Sequence, residues 1–202
     1  MSTLSILPYF PFQRVRITKQ SVFPDAEISQ LTAVPDERFR PICHVCGNKA
    51  QRIYRHDKRS LRDLNLGSVR VWITCSYRKI ACEPCNRIVV EDLGFFHPYS
   101  RVTHRLAAYI HELCKVLTVT EVAKHFGINW KTVKTIDKFF LERQYAQTDY
   151  QNLRILAVDE IAVKKGHRYL TVVLDYLSGR VVWVGKERTK ETLGTFFAGM
   201  TQ

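Results

Sequence analysis

Ile155-Leu156-Ala157-Val158-Asp159-Glu160 is the stretch whose reading decides the fold of the C-terminal quarter. Four apolar residues running into an acidic pair predict a strand buried on both faces that delivers a carboxylate at its end. Tyr169 to Leu174 follows, rich in β-branched and aromatic residues. Asp175-Tyr176-Leu177-Ser178-Gly179 then supplies turn chemistry before a third run, Arg180 to Val184. The three runs make a β-meander. Thr189 opens a helix over Lys190 to Met200, with Leu193, Phe196 and Phe197 three and four apart.

An acidic residue ending the first strand, two hairpin-linked strands and a helix resemble the opening third of the ribonuclease-H-like fold of transposases and integrases. The wording of residues 156–175, with Gly179-Arg180-Val181-Val182-Trp183-Val184-Gly185 and Lys190-Glu191-Thr192-Leu193 after it, resembles the insertion-sequence transposases of the ISL-three class. That resemblance implies that Asp159 is the first of three catalytic carboxylates. It also implies a domain in which magnesium or manganese serves DNA strand cleavage and transfer. The chain reaches Gln202 before a second or third carboxylate, so the expectation is a truncated transposase with an incomplete meander-plus-helix domain over 153–202, inactive alone. Glu160 points to the opposite face from Asp159 on a strand, and Asp175 sits at a turn where its ordinary role is hydrogen bonding to backbone.

The 202 residues suit one ordinary domain or two to three small ones, and 46% hydrophobic with 25% charged residues predicts a folded chain rather than a disordered one. The net charge of +12 predicts attraction to a polyanion. Residues 40–152 hold 19 basic against 10 acidic side chains, hence +9 of that +12, which places the nucleic-acid candidate in the middle of the chain. No run of eighteen apolar residues is present, so no membrane span is expected. The start lacks a charged n-region and is interrupted by Pro8 and Pro11, which predicts no signal peptide and a cytoplasmic protein.

In a reducing compartment, paired Cys-x-x-Cys motifs point to metal rather than disulfides. Cys43-His44-Val45-Cys46-Gly47 and Cys82-Glu83-Pro84-Cys85-Asn86 are two such pairs, with strand-like stretches between them at Gln51 to Arg55 and Val69 to Cys75. Four thiolates suit one tetrahedral zinc, and Gly47 and Asn86 are residue types that tolerate positive φ just after a knuckle. The competing reading is four buried cysteines without metal. Cys75 and Cys114, at apolar-periodic positions, are expected to be small core residues, and His44 a solvent-facing spacer. The intervening segment from His56 to Arg70, with Tyr77, Arg78, Lys79 and Glu91, also resembles the zinc-ribbon region of the same transposases. Lys58, Arg59, Arg62, Arg70, Arg78, Lys79 and Arg87 make a basic module able to lie on phosphates, or else a solvated charged face. Upstream, Arg14 to Thr18 and Glu27 to Val34 predict a small hairpin.

From Ser100 the period becomes helical, with Val102, Leu106, Ile110, Leu113 and Leu117 on one predicted buried face. Thr118 and Glu121 predict a capping box for a short helix, Val119 to Phe126, that ends at Gly127. Asn129 is placed to cap a third helix from Trp130 to about Leu141. Ala123, Gly127 and the buried set Val122, Phe126, Ile128, Val133 and Ile136 spell a helix-turn-helix rather than a plain helical hairpin. Asn129, Trp130, Lys131, Lys134 and Thr135 are the candidate DNA-contacting residues, and Cys43, Cys46, Cys82 and Cys85 the candidate zinc ligands.

The expected fold class is therefore α+β and multi-module: an N-terminal hairpin and β-rich zinc ribbon over 1–98, a helix-turn-helix over 99–145, and the incomplete ribonuclease-H-like segment. The expected partner is double-stranded DNA carrying transposon inverted repeats, without a membrane and with room for a homo-oligomer. A zinc-ribbon and helix-turn-helix regulator without catalytic activity is the alternative. Only the surroundings of Asp159 separate the two.

Overall fold

The computed structural model describes residues 10–146, 150, 152–164 and 168–200. Met1 to Tyr9, read above for a leader, and Lys165 to His167 of the C-terminal wording lie outside the described residues. The architecture is mixed, with two sheets and four α-helices among the described residues. One compact unit runs as far as Phe140 and a second starts at Leu141. No described helix is long and apolar enough to cross a membrane.

The first unit holds a five-stranded sheet. Strands β1 (Val15–Phe23) and β2 (Ile28–Pro35) form the expected antiparallel hairpin, turned by Pro24–Ala26 and by Glu27 at φ 49°. Strands β3 (Arg52–Arg62) and β4 (Arg70–Cys82) form a second antiparallel pair, both longer than the periodicity indicated, and β5 (Arg87–Val90) pairs with β4. The hairpin is part of the same sheet as the cysteine-bearing strands, because β2 runs parallel to β4 from Ile28↔Arg70 to Ala33↔Cys75. β4 shows why: Val71, Ile73, Cys75 and Tyr77 alternate into a core shared with Leu31, Ala33, Leu61, Leu93 and Phe96. Cys75 is fully buried there, as expected of a small core residue, and burial pushes its thiol up to about 12.

A second cluster gathers Val102, Leu106, Ile110, Val122, Ala123, Phe126 and Val133 around α1 (His104–Cys114), α2 (Val119–Phe126) and α3 (Trp130–Gln144). Thr103 caps α1 by accepting from Leu106 N. The predicted apolar face fails at its far end: Leu113 is only partly buried and Leu117 is 41% exposed. The reason is local. The helix ends at Cys114 with Lys115 as its C-cap, so Leu117 lies beyond the regular repeat. Cys114 is partly buried against the same cluster.

In the second unit, β6 (Leu156–Lys164), β7 (Arg168–Asp175) and β8 (Val181–Lys186) form an antiparallel meander in that order, followed by α4 (Lys190–Met200). Thr189 Oγ1 accepts from Thr192 N at the start of α4, as predicted. The core is small, with Val173, Val182 and Phe196 at its centre and Leu156, Trp183, Leu193 and Met200 around it. The deciding stretch departs from expectation in two ways. Ile155 and Val158 are 50% and 48% exposed rather than buried on both faces, and the strand continues through Asp159 to Lys164 instead of ending there. The exposure goes with position, since β6 is an edge strand whose partner among the described residues is β7 alone, and the extension follows from its pairing with β7 as far as Lys164↔Arg168.

Candidate metal centre and nucleic-acid interface

Each Cys-x-x-Cys closes a tight turn. Gly47 N donates to Cys43 O and Asn86 N to Glu83 O, and Gly47 and Asn86 adopt φ of 73° and 48°, the left-handed conformation their types tolerate. The turns bring the four sulfurs together. Sγ of Cys46 lies 3.5 Å from that of Cys82, Sγ of Cys43 lies 3.8 Å from that of Cys85, and all four fall within 4.8 Å of one another. A tetrahedron with metal–sulfur bonds of about 2.3 Å has edges of about 3.8 Å, so the donor set and its spacing fit a single zinc ion. The hydrogen bond from the Asn48 backbone draws the Cys46 thiol down to about 6, toward the thiolate that a metal requires. Hydrogen bonding to Cys46 pushes Cys85 up to about 12. His44 is not the solvent-facing spacer expected from the sequence. It is half-buried, and its Nδ1 is 2.8 Å from Val90 O, which ties the first knuckle to β5.

Beneath the knuckles Glu91 is fully buried and accepts from Arg78 N and Arg78 Nε, both at 2.7 Å. Arg78 is thus spent on an internal ion pair. Arg59 is half-buried, its guanidinium over Tyr77 at 5.2 Å and donating to Pro98 O; Arg62 is buried; and Lys79 pairs with Asp57 at 3.2 Å. Of the seven basic side chains grouped by the sequence, Lys58, Arg70 and Arg87 remain exposed. A further buried group had no signal beyond a charged residue between Leu61 and Leu64. Asp63 accepts from Thr103 Oγ1 at 2.6 Å and from Arg105 Nε at 2.8 Å, joining the end of β3 to the start of α1.

The turn between α2 and α3 follows the sequence closely. Thr118 and Glu121 form the reciprocal capping box, Gly127 sits at φ 63° as the C-cap of α2, and Asn129 Oδ1 accepts from Lys131 N to cap α3. Val133 faces the core, and Ile128 and Ile136 pack partly buried beside it. Asn129, Trp130, Lys131, Lys134 and Thr135 are all exposed, Trp130 by 50%. The first two turns of α3 therefore present an aromatic ring with the Lys131 ammonium 5.9 Å from its centre, a second lysine, and a hydroxyl that donates to Lys131 O. Asn129 Oδ1 is occupied by capping, which leaves its amide NH2 to reach outward.

Asp159 is exposed at mid-strand, opposite Val172, and its Oδ1 accepts from Glu160 N at 2.7 Å. Asp175 plays the turn role expected of it, accepting from Ser178 Oγ and Leu177 N, and that bonding holds its carboxyl below the usual range.

Residues 91–140 match the helix-turn-helix domain of transposase family ISL3, and residues 156–202 match the transposase domain of the same family. The chain belongs to the ISL3 family of transposases. Among similar proteins, the transposase for insertion sequence element IS1001 of Bordetella parapertussis is 37% identical over 156 residues, covering 77% of this chain and 38% of that protein. The transposase for insertion sequence element IS1557 of Mycobacterium tuberculosis is 33% identical over 161 residues, covering 77% of this chain and 35% of that protein. This ISL3-family chain thus matches little more than a third of the length of these relatives. No solved structure matches it.

Proposed function

We propose that this ISL3-family chain recognises the ends of its insertion sequence as double-stranded DNA, with the first two turns of α3 in the major groove. The observation that carries the reading is the α2–α3 pair: a capped short helix, a left-handed Gly127, and a third helix whose early side chains are polar, cationic and exposed while Val133 anchors its other side. Asn129, Trp130, Lys131, Lys134 and Thr135 are the proposed contacts. Lys131 and Lys134 supply charge toward phosphates or guanine edges, and Asn129 and Trp130 supply base-edge and apolar contact.

Cys43, Cys46, Cys82 and Cys85 are the proposed ligands of a structural zinc, which makes a zinc ribbon of the sheet around them. On this reading 1–98 is the hairpin-and-ribbon module, 99–145 the helix-turn-helix, and 153–202 the first part of a ribonuclease-H-like DDE domain. Asp159 is its proposed first carboxylate. A pair of magnesium or manganese ions held by three carboxylates would supply activation of water or a 3′-hydroxyl in such a domain. Asp159 by itself does not hold such a pair. The test is a binding titration of the chain with a duplex of the element's terminal repeat and with the same bases shuffled. Tighter binding to the terminal duplex is expected. Equal affinity for both would refute end recognition.

A further inference from the structure

The five-stranded sheet has two faces, and the core accounts for only one. On β4, Val71, Ile73 and Cys75 turn inward while Trp72, Thr74 and Ser76 alternate to the other side. The register carries that outer side across the sheet. Trp72 lies beside Gln30 of β2 and Arg62 of β3, Thr74 beside Thr32 and Ser60, Ser76 beside Lys58, and Thr32 beside Lys19 of β1. Residues paired in this way share a face. This face carries hydroxyls, amides and cations, with Trp72 among them and Phe23 and Ile28 at the end beside Arg70. Gln30 Nε2 donates to Thr74 Oγ1 at 3.0 Å, and Trp72, 36% exposed at the centre, has the Arg62 guanidinium 5.8 Å from its ring.

No carboxylate stands on it among the described, paired residues. Asp57 pairs with Tyr77, out of phase with Lys58, and is engaged by Arg55 and Lys79. Asp25 and Glu27 belong to the hairpin turn, beyond the last rung Phe23↔Ile28. An ordinary solvated sheet face intersperses both signs of charge. A face of one sign, dressed with hydroxyl and amide donors, has the composition that meets DNA phosphates. It is also held to the helices. Arg62 N donates to Arg101 O at 2.8 Å, and Thr103 N to Arg62 O at 3.0 Å, so β3 is hydrogen-bonded directly to the segment entering α1.

We propose that the outer face of this sheet is a second DNA-contacting surface, which grips the sugar–phosphate backbone of duplex DNA without reading its sequence, through Lys19, Lys58 and Arg70. The inference rests on the DNA-binding reading of α3 and adds to it a separate set of contacts. Its signature is salt dependence, because each phosphate contact releases counterions while carrying no sequence information.

The experiment compares the full chain with its Lys19→Ala/Lys58→Ala/Arg70→Ala variant on a terminal-repeat duplex and on a random-sequence duplex across a salt series. The slope of log affinity against log salt is expected to become shallower by roughly 2 to 3. Affinity for both duplexes should fall in the same proportion, leaving the preference between them intact. Lys58→Gln and Arg70→Gln, made singly, should each reduce the slope by about 1, which guards against misfolding of the triple variant. Unchanged slopes in variants that still bind DNA would overturn the proposal. So would loss of self-association with DNA binding untouched, which would make the face a protein interface. If the parent bound no duplex at all, the α3 reading would fail first and this inference with it.

Discussion

Removing the Asp63 carboxylate should do more damage than any surface substitution in the chain, and Asp63→Ala measures how firmly β3 is joined to α1. The carboxylate is fully buried and accepts from Thr103 Oγ1 and from the Arg105 guanidinium. Thr103 also caps α1, and the Arg105 guanidinium lies 4.7 Å from the centre of the Phe10 ring, so the loss reaches both the helix start and the sheet core. Breaking a buried ion pair from one side costs about 3–5 kcal/mol. The Arg105 side chain is 32% exposed, and water relieves part of that, which favours the lower end, about 3 kcal/mol. For a unit of this size the melting temperature should drop by on the order of 10 °C. Asp63→Asn keeps an acceptor for Thr103 and should lose roughly half as much. Urea unfolding followed by circular dichroism reads both, and a cycle with Arg105→Ala should give a coupling of about 1–3 kcal/mol. An Asp63→Ala variant within about 0.5 kcal/mol of the parent would refute the reasoning.

Cys43→Ser should abolish stoichiometric zinc and unfold the knuckles, while the helices between His104 and Gln144 keep their dichroism; one zinc per chain by elemental analysis of the parent is the companion expectation. Gly127→Ala should destabilise the helical cluster by about 1 kcal/mol through backbone strain alone. Its φ is 63° and an added methyl would meet no atom within 4 Å, so crowding contributes nothing, and thermal melts should register the strain. Limited proteolysis should cut the unit that starts at Leu141 first and leave a product ending close to Phe140. The second unit has three residues at the centre of its core, an edge strand in β6, and exposed Val158, Ile161, Val163 and Phe197.

What could be read in advance was chemistry set by neighbours in sequence. The knuckles announce themselves through Cys spacing and the types of Gly47 and Asn86, and the helix-turn-helix through Thr118, Glu121, Gly127 and Asn129, because caps and left-handed turns depend on residues within one turn of each other. The meander was legible for the same reason, its strands being separated by Asp175 to Gly179. Pairings between distant segments left no local mark. Nothing around Ile28 to Ala33 specifies a parallel partner as far along the chain as Arg70 to Cys75, and the carboxylates of Asp63 and Glu91 look in sequence like surface charges until Arg105 and Arg78 are seen beside them. An apolar run such as Ile155 to Val158 shows only the capacity for burial, whereas its exposure is set by what pairs with its edge and what packs on its faces.

The measurement that tests the account most directly is the discrimination between terminal-repeat and shuffled duplexes by the α3 variants, read by fluorescence anisotropy at fixed salt. Lys131→Ala and Lys134→Ala should weaken binding. Trp130→Ala should shrink the preference for the terminal duplex, each effect amounting to roughly 1–3 kcal/mol, with zinc content unchanged. Variants that bind and discriminate like the parent would contradict the assignment of sequence recognition to the third helix.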